Sequence, residues 1–140
     1  MMLFQMSRKY ALTLVAMIHI ARQEEGRSIQ AAELMAFMGS ERRYLEPVLQ
    51  SLTRGGVIKG LRGPMGGYQL ARAANEISML DVLECVNTTE VGPDRDLGLN
   101  ADAAALLEPI FPQLVSHFQE NLRRVTLADF LVSAEALRAA

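Results

Sequence analysis

The amino-acid sequence predicts a mainly α-helical fold with a small β-hairpin: a winged helix-turn-helix followed by a long C-terminal dimerisation helix. Two segments with helical apolar spacing meet at Gly39, as two helices joined through a tight turn do. After Gly55 the apolar spacing shortens to that of strands, on both sides of a glycine-rich loop. Apolar residues then recur nearly every four positions from Ile110 to Val125, which predicts one long amphipathic helix.

Polar caps and glycines bound the first two helices. We expect the first helix to run from about Ser7, a candidate N-cap, to about Gln23. The second, shorter helix starts after Ser28 and ends at Gly39. Its apolar side chains are Ile29, Ala32, Leu34, Met35 and Met38.

A third helix and a hairpin follow. Ser40 is the predicted N-cap of this helix, which ends at Gly55-Gly56. Its buried stripe consists of Tyr44, Leu45, Val48, Leu49 and Leu52. Strands are expected at residues 57–61 and 68–70, because the loop between them, residues 62–67, is dense in glycine and proline. A helix-turn-helix followed by a hairpin is the winged-helix arrangement.

Two short helices are predicted next. Ser78 and Asp81 form a capping box that opens a helix ending near Val86. The segment from Thr88 to Asn100 has little apolar periodicity and is predicted to be a loop. Its last residue, Asn100, is expected to cap a helix over residues 101–107.

Two further helices complete the chain. The long helix is expected to begin near Pro109, because the first four backbone N–H groups of a helix have no intrahelical partner and a proline there is tolerated. Thr126 and Asp129 form a second capping box, which opens the terminal helix.

Composition excludes several protein classes. With 140 residues the chain is long enough for one compact unit, and its single cysteine excludes both a disulfide scaffold and a cysteine-only metal or iron–sulfur site. No apolar run reaches the roughly 18 residues of a membrane span, so we expect no membrane contact. The apolar stretch after Arg8-Lys9 resembles a signal peptide, but Thr13 and His19 interrupt it. We therefore predict a cytoplasmic protein.

Charge is distributed unevenly along the chain. Residues 1–72 hold ten Lys/Arg and five acids, a net +5, whereas residues 73–140 hold four arginines and eleven acids, a net −7. A basic half beside an acidic half is typical of a nucleic-acid face on one side. Chance clustering of surface charge is the alternative.

The third helix carries polar side chains that could read DNA. Arginine donates two hydrogen bonds to guanine, and glutamine pairs in the same way with adenine. The first N–H groups of a helix suit a phosphate. The candidates on this helix are Ser40, Arg42, Arg43, Tyr44, Glu46 and Gln50. An ordinary solvated helix face is the alternative.

The hairpin loop is a second candidate DNA contact. Arg62 stands beside a glycine-rich tip, where backbone and side chain can approach a sugar-phosphate or enter a minor groove. The glycines of this tip are Gly63, Gly66 and Gly67. A nucleotide-binding loop is the competing interpretation, but the Lys-Ser/Thr of a P-loop is missing.

The chain resembles the Rrf2 (Rrf-two) family of bacterial transcription regulators. The likeness rests on four stretches, which are Arg8-Lys9-Tyr10-Ala11-Leu12, residues 44–49 (YLEPVL) with Leu52, residues 56–58 (GVI) running through 62–72 (RGPMGGYQLAR), and residues 125–129 (VTLAD). The resemblance implies a homodimer that binds a palindromic operator, with the 40–50 helix in the major groove and residues 62–67 as the wing contact. It also implies that Arg8 and Lys9 belong to the DNA-binding surface and that Glu46 acts in base preference.

The chain departs from the family at the cofactor loop. Cluster-binding members carry three cysteines between the short helix and the dimerisation helix, and residues 88–100 contain none. Cys85 precedes that loop, and neither His19 nor His117 has metal-ligand spacing to another donor. We therefore expect no metal site and no iron–sulfur cofactor. A thiol-sensing role for Cys85 stays open beside a simple packing role.

These observations divide the chain into three parts. We expect a winged helix-turn-helix DNA-binding domain at residues 1–87, a connecting loop at 88–100 and a helical dimerisation region at 101–140. The predicted dimer contacts are Ile110, Leu114, Phe118, Leu122 and Val125. Phe111, Val115 and Leu127 add more apolar surface than one small domain can cover, so a second copy should cover it. The alternative is a helix that folds back onto its own winged helix.

The leading function is a dimeric, sequence-specific regulator that binds double-stranded DNA, most often a repressor in this family. The alternative is a winged-helix module that docks a partner protein, and an effector protein or small molecule fits either function. No catalytic Ser/His/Asp or Cys/His arrangement, paired-carboxylate motif or nucleotide fingerprint is present, so we predict no enzyme.

Overall fold

A computed structural model describes residues 8–87 and 100–139. Seven α-helices and one two-stranded antiparallel sheet occur in these ranges. In chain order they are α1 (Arg8–Ala21), α2 (Ala31–Met38), α3 (Arg42–Arg54), β1 (Ile58–Leu61), β2 (Gly67–Leu70), α4 (Met79–Asn87), α5 (Ala101–Ala105), α6 (Phe111–Arg124) and α7 (Leu127–Ala139), with a 3₁₀ turn at Ala74–Glu76 before α4. The predicted mainly helical fold with one hairpin is confirmed.

The start of α2 differs from the prediction. Ile29 precedes the helix and pairs with Tyr68 of β2 instead, where each backbone N–H donates to the other residue's carbonyl at 2.8 and 3.0 Å. Gln30 is therefore the N-cap, and its own N–H donates to the Glu33 carboxylate at 3.0 Å. Ile29, which is buried, thus links the helix-turn-helix to the edge of the hairpin.

The start of α3 also differs. Its N-cap is Glu41 rather than Ser40, and the Glu41 side chain makes no capping hydrogen bond. Gly39 adopts the left-handed conformation (φ 62°) that ends α2, as the glycine turn predicts. The turn is therefore where the sequence places it, but α3 begins one residue later than expected.

Local side-chain caps fix the starts of α4, α5 and α7 as predicted, whereas α6 begins at Phe111, two residues later than expected, and has no side-chain cap. Ser78 and Asp81 form the capping box of α4, with hydrogen bonds of 3.0 Å in both directions. Asn100 accepts from the Ala103 N–H at 2.9 Å at the start of α5. Thr126 and Asp129 form the second capping box, at α7. The predicted cap Ser7 and most of the predicted loop, residues 88–99, lie outside the described residues.

One hydrophobic core joins the winged helix to the end of the chain. Leu127, the first residue of α7, is fully buried in the cluster that contains Met17 of α1 and Leu52 of α3. Backbone hydrogen bonds of 2.8 Å run from the Met79 N–H to the Val125 carbonyl and from the Leu127 N–H to the Ile77 carbonyl. The expectation that Leu127 is surface for a second copy is therefore wrong, because its own chain covers it.

None of the helices in the described ranges has both the length and the apolar character needed to cross a bilayer.

Candidate nucleic-acid interface

The outer face of α3 is polar and exposed. Leu45, Val48, Leu49 and Leu52 point into the core, which leaves Arg42, Arg43, Glu46 and Gln50 in solvent. Helical periodicity produces this division, because residues three and four apart share a face. The structure thus gathers the predicted base-reading side chains on one surface, the front of α3.

Both arginines on this face are paired with carboxylates. Arg42 Nε lies 3.5 Å from Glu46 Oε2, and Arg43 Nε lies 3.1 Å from Glu41 Oε2. All four side chains are more than half exposed, so each pair contributes at most about 1 kcal/mol. Because each ion pair is weak, a phosphate or a guanine edge can replace the carboxylate with little loss of free energy.

Tyr44 joins the first helix to the third. The guanidinium carbon of Arg8 lies 4.1 Å from the centre of the Tyr44 ring, and that of Arg43 lies 4.6 Å from it. Cations attract the faces of aromatic rings at these distances. Arg8, at the start of α1, is thereby positioned beside the front of α3, and Lys9 follows it on the same helix end.

Ser40 has a less accessible position than the sequence suggests. Its Oγ is shielded from solvent and has no hydrogen-bond partner among the residues described. Its backbone N–H donates to the Met35 carbonyl at 3.2 Å. A phosphate could contact this hydroxyl only after the Ser40 side chain changed rotamer. The contact between Ser40 and a phosphate stays a prediction.

Glycine geometry fixes the wing, residues 62–66, between the two strands. The Gly66 N–H donates to the Gly63 carbonyl at 2.9 Å, and Gly63 takes a positive φ of 101°. A Cβ on Gly66 would collide with the Leu61 carbonyl, and one on Gly67 (φ 139°) would lie 2.5 Å from the Ile29 carbonyl. Gly66 and Gly67 thus permit close backbone packing, whereas Arg62 is exposed.

A groove connects the front of α3 to the hairpin. It has a volume of about 430 Å³, and Gln50, Thr53 and Arg54 of α3 line one side while Gly60 and Tyr68 line the other. Sequence reasoning missed Thr53 and Arg54. Their signal was present, because they lie three and four residues after Gln50 and so share its face.

The predicted dimer contacts separate into two kinds. Ile110, Leu114 and Phe118 are 58%, 60% and 55% exposed, and Val125 is 38% exposed. Phe111 and Val115 are exposed as expected. Leu122 instead packs against the core of its own chain. We call the apolar side chains at 110, 111, 114, 115 and 118 the α6 face.

The cysteine and one histidine occupy packing positions. Cys85 Sγ lies against Gly55, at the end of α3, and donates to the Asp81 carbonyl at 3.0 Å. Burial, and secondly the Asp81 carboxylate, raise the pKa of this thiol, so it is less reactive than a free cysteine. His19 stacks on Phe37 with 3.8 Å between ring centres, and burial lowers its pKa.

Comparisons with known proteins identify the family. The sequence profile of the Rrf2 family, whose description is iron-dependent transcriptional regulator, matches residues 6–133. The chain belongs to the Rrf2 family. An HTH-type transcriptional regulator of Mycobacterium tuberculosis is 30% identical over 129 residues, which cover 89% of this chain and 80% of that protein. IscR of Cereibacter sphaeroides is 27% identical over 128 residues, 88% and 83% of the two chains.

Solved structures share the winged-helix fold. IscR of T. potens has a TM-score of 0.77 at 24% identity, and the match covers 98% of this chain and 93% of that one. CymR, the global cysteine regulator of B. subtilis, has a TM-score of 0.71 at 22% identity, with 94% and 98% covered. The family and these relatives are transcriptional regulators with a DNA-binding helix-turn-helix, not enzymes.

The iron in the family description calls for a test of the donor set. Among residues 8–87 and 100–139, no group of three or more His, Cys, Asp or Glu side chains could hold a metal ion. Cys85 is the single thiol of the whole sequence, and it faces Gly55. An iron–sulfur cluster needs several thiolate or imidazole ligands, so this donor set does not fit one.

Proposed function

We propose that this Rrf2-family chain is a homodimeric transcriptional repressor that binds a palindromic operator in double-stranded DNA without an iron–sulfur cluster. The proposal is supported by one polar surface, on which the start of α1 lies beside the front of α3 and the front of α3 borders strands β1 and β2 of the hairpin. Arg8 and Arg43 flank Tyr44 at one end of it, and the groove beside Gln50 leads to the hairpin at the other.

The chemistry of this surface matches double-stranded DNA. The helix length of α3, 13 residues or about 20 Å, suits a major groove. Arg43 and Gln50 can pair with guanine and adenine, and Glu46 can accept from cytosine N4. Arg8, Lys9 and Arg62 supply the positive charge that phosphates require.

The α6 face supports the homodimer. Exposed apolar side chains that cluster on one face of a small protein are typical of an interaction site. A second copy of the same helix covers it with an identical surface, and two-fold symmetry then matches a palindromic operator. The repressor role follows the commonest mode implied by the family resemblance.

The decisive experiment measures salt dependence and sequence discrimination together. Purified dimer is titrated against its own promoter DNA and against random duplex by fluorescence anisotropy from 50 to 300 mM salt. We expect affinity to fall steeply with salt, because bound phosphates release counterions. Arg43→Ala should reduce the preference for promoter over random DNA by about tenfold or more, since a bidentate base contact contributes about 1–3 kcal/mol.

Arg22→Ala is the matched control. It removes the same charge from the opposite end of α1, about 20 Å from Arg8, and should leave the preference unchanged. Binding that is flat in salt, or a stoichiometric protein partner in place of DNA, would favour a protein-docking module.

A further inference from the structure

The tip of the wing presents an apolar side chain to solvent. Met65 is 89% exposed, more than any other large hydrophobic residue in the part of the chain that the structure describes. Isolated exposed apolar residues are common on proteins. Met65 differs from them in its position, at the apex of a rigid projection from a DNA-binding surface.

The turn that carries Met65 is preorganised. Residues 63–66 form a β-turn closed by the Gly66 N–H and the Gly63 carbonyl, with Pro64 second and Met65 third. Proline fixes φ at the second position of such a turn, and Met65 keeps an ordinary negative φ. The backbone direction at Met65 is therefore set before any ligand binds, which lowers the entropy cost of inserting its side chain.

Strand β2 of the hairpin is held by hydrogen bonds to residues that precede α2. The two hydrogen bonds between Ile29 and Tyr68 tie β2 to the segment before α2. Gln69 Nε2 donates to the Gly26 carbonyl at 2.9 Å and lies 3.1 Å from Ser28 Oγ. These hydrogen bonds fix the position of the hairpin relative to the helix-turn-helix.

The surroundings of Met65 favour DNA as its partner. Arg62 is exposed three residues away, so the wing can approach phosphates. The groove beside α3 is lined on its hairpin side by Gly60 and Tyr68, which pair one residue before the last strand pair, Leu61 and Gly67, so this end of the hairpin lies next to α3. If α3 lies in a major groove, we expect the wing to lie over the adjacent minor groove.

We propose that Met65 is an apolar wedge that enters this minor groove and partly unstacks one base step, so that affinity depends on how easily the DNA beneath the wing deforms. Minor-groove proteins use methionine and other apolar side chains in this way, and pyrimidine–purine steps are the easiest to unstack. The proposal rests on the DNA-binding function proposed above, and it assigns a specificity role to an uncharged residue.

The test uses full-length dimer and duplexes that wild-type protein selects from a random pool. The fluorescent base 2-aminopurine is placed in turn at each position flanking the α3 contacts, because its emission rises when it unstacks. Wild-type protein should raise the emission at one step per half-site. Met65→Ala should abolish this rise and weaken binding on the order of tenfold. Met65→Leu, a wedge of similar size, should keep both within about threefold.

Two controls make the outcome specific. The salt slope of Met65→Ala should equal that of wild type, because no phosphate contact is lost. Its thermal unfolding should also be unchanged, because the side chain is exposed. Equal emission and equal affinity for wild type and Met65→Ala would overturn the wedge while leaving DNA binding intact. Failure of wild type to bind any duplex in a salt-dependent way would overturn both proposals.

Discussion

Truncation of the α6 face at Leu114 should weaken the dimer without unfolding the subunit. Full burial of a leucine contributes about 1.5–3 kcal/mol, and 60% of Leu114 is exposed in the single chain. Covering that fraction contributes roughly 1–2 kcal/mol for each subunit. Two-fold symmetry doubles the effect, so Leu114→Ala should cost about 2–4 kcal/mol, or about 30- to 700-fold in the dimer dissociation constant.

Sedimentation velocity across a range of protein concentrations measures this constant. Leu137→Ala is the control, because Leu137 is 79% exposed on α7, outside the proposed contact, and should leave the dimer unchanged. Leu122→Ala provides a contrast on α6 itself. Leu122 packs against the core of its own chain, so Leu122→Ala should lower the free energy of unfolding of the subunit by about 2 kcal/mol or more.

Two results would refute the reasoning. The first is a wild-type protein that sediments as a monomer at every concentration. The second is a Leu114→Ala variant whose dimer is as tight as wild type while Leu137→Ala dissociates, which would move the contact to α7.

Two further predictions concern the hairpin and the last helix. Gly67→Ala should lower the free energy of unfolding by about 1–3 kcal/mol in chemical denaturation, because Gly67 has a positive φ and the added Cβ would meet the Ile29 carbonyl. Gly60→Ala is the control and should be nearly neutral, because its added Cβ has only Tyr68 nearby, at 3.9 Å. Equal losses of stability in the two variants would contradict the close packing at Gly67. The Thr126 N–H holds the pKa of Asp129 below its ordinary value, so the cap stabilises α7 above about pH 4 and is lost as the pH falls through the lowered pKa. Asp129→Ala should therefore lower the melting temperature more at pH 7 than at pH 2, and an equal effect at both pH values would rule out the charged cap.

Features that depend on a few neighbouring residues could be predicted from the sequence. The capping boxes at Ser78 and Thr126, and the turn at Gly39, are confirmed because their partners lie within one helical turn. The exposure of the polar front of α3 is also confirmed, because helical periodicity alone separates these side chains from the core.

Features that depend on distant residues could not be predicted. Ile29 has the apolar character of a helix face, but its backbone pairs with Tyr68 in the hairpin. Leu127 belongs to a terminal helix by pattern, yet it completes the core of the winged helix. The stacking of Arg8 on Tyr44 likewise joins α1 to α3, and no local pattern encodes it. Tertiary packing decided each of these positions.

The attachment of the chain's end to its beginning has a mechanical consequence. Leu127 is buried in the core, and backbone hydrogen bonds join it to Ile77 and join Val125 to Met79, so the C-terminal end of α6 is attached to the rest of the subunit. In a pair joined through α6, a change in the angle between the two helices would alter the distance between the two copies of α3. A molecule that binds at that junction and changes this angle would make the spacing of the two α3 helices differ from the helical repeat of DNA. The protein would then release DNA although no base-contacting residue had changed.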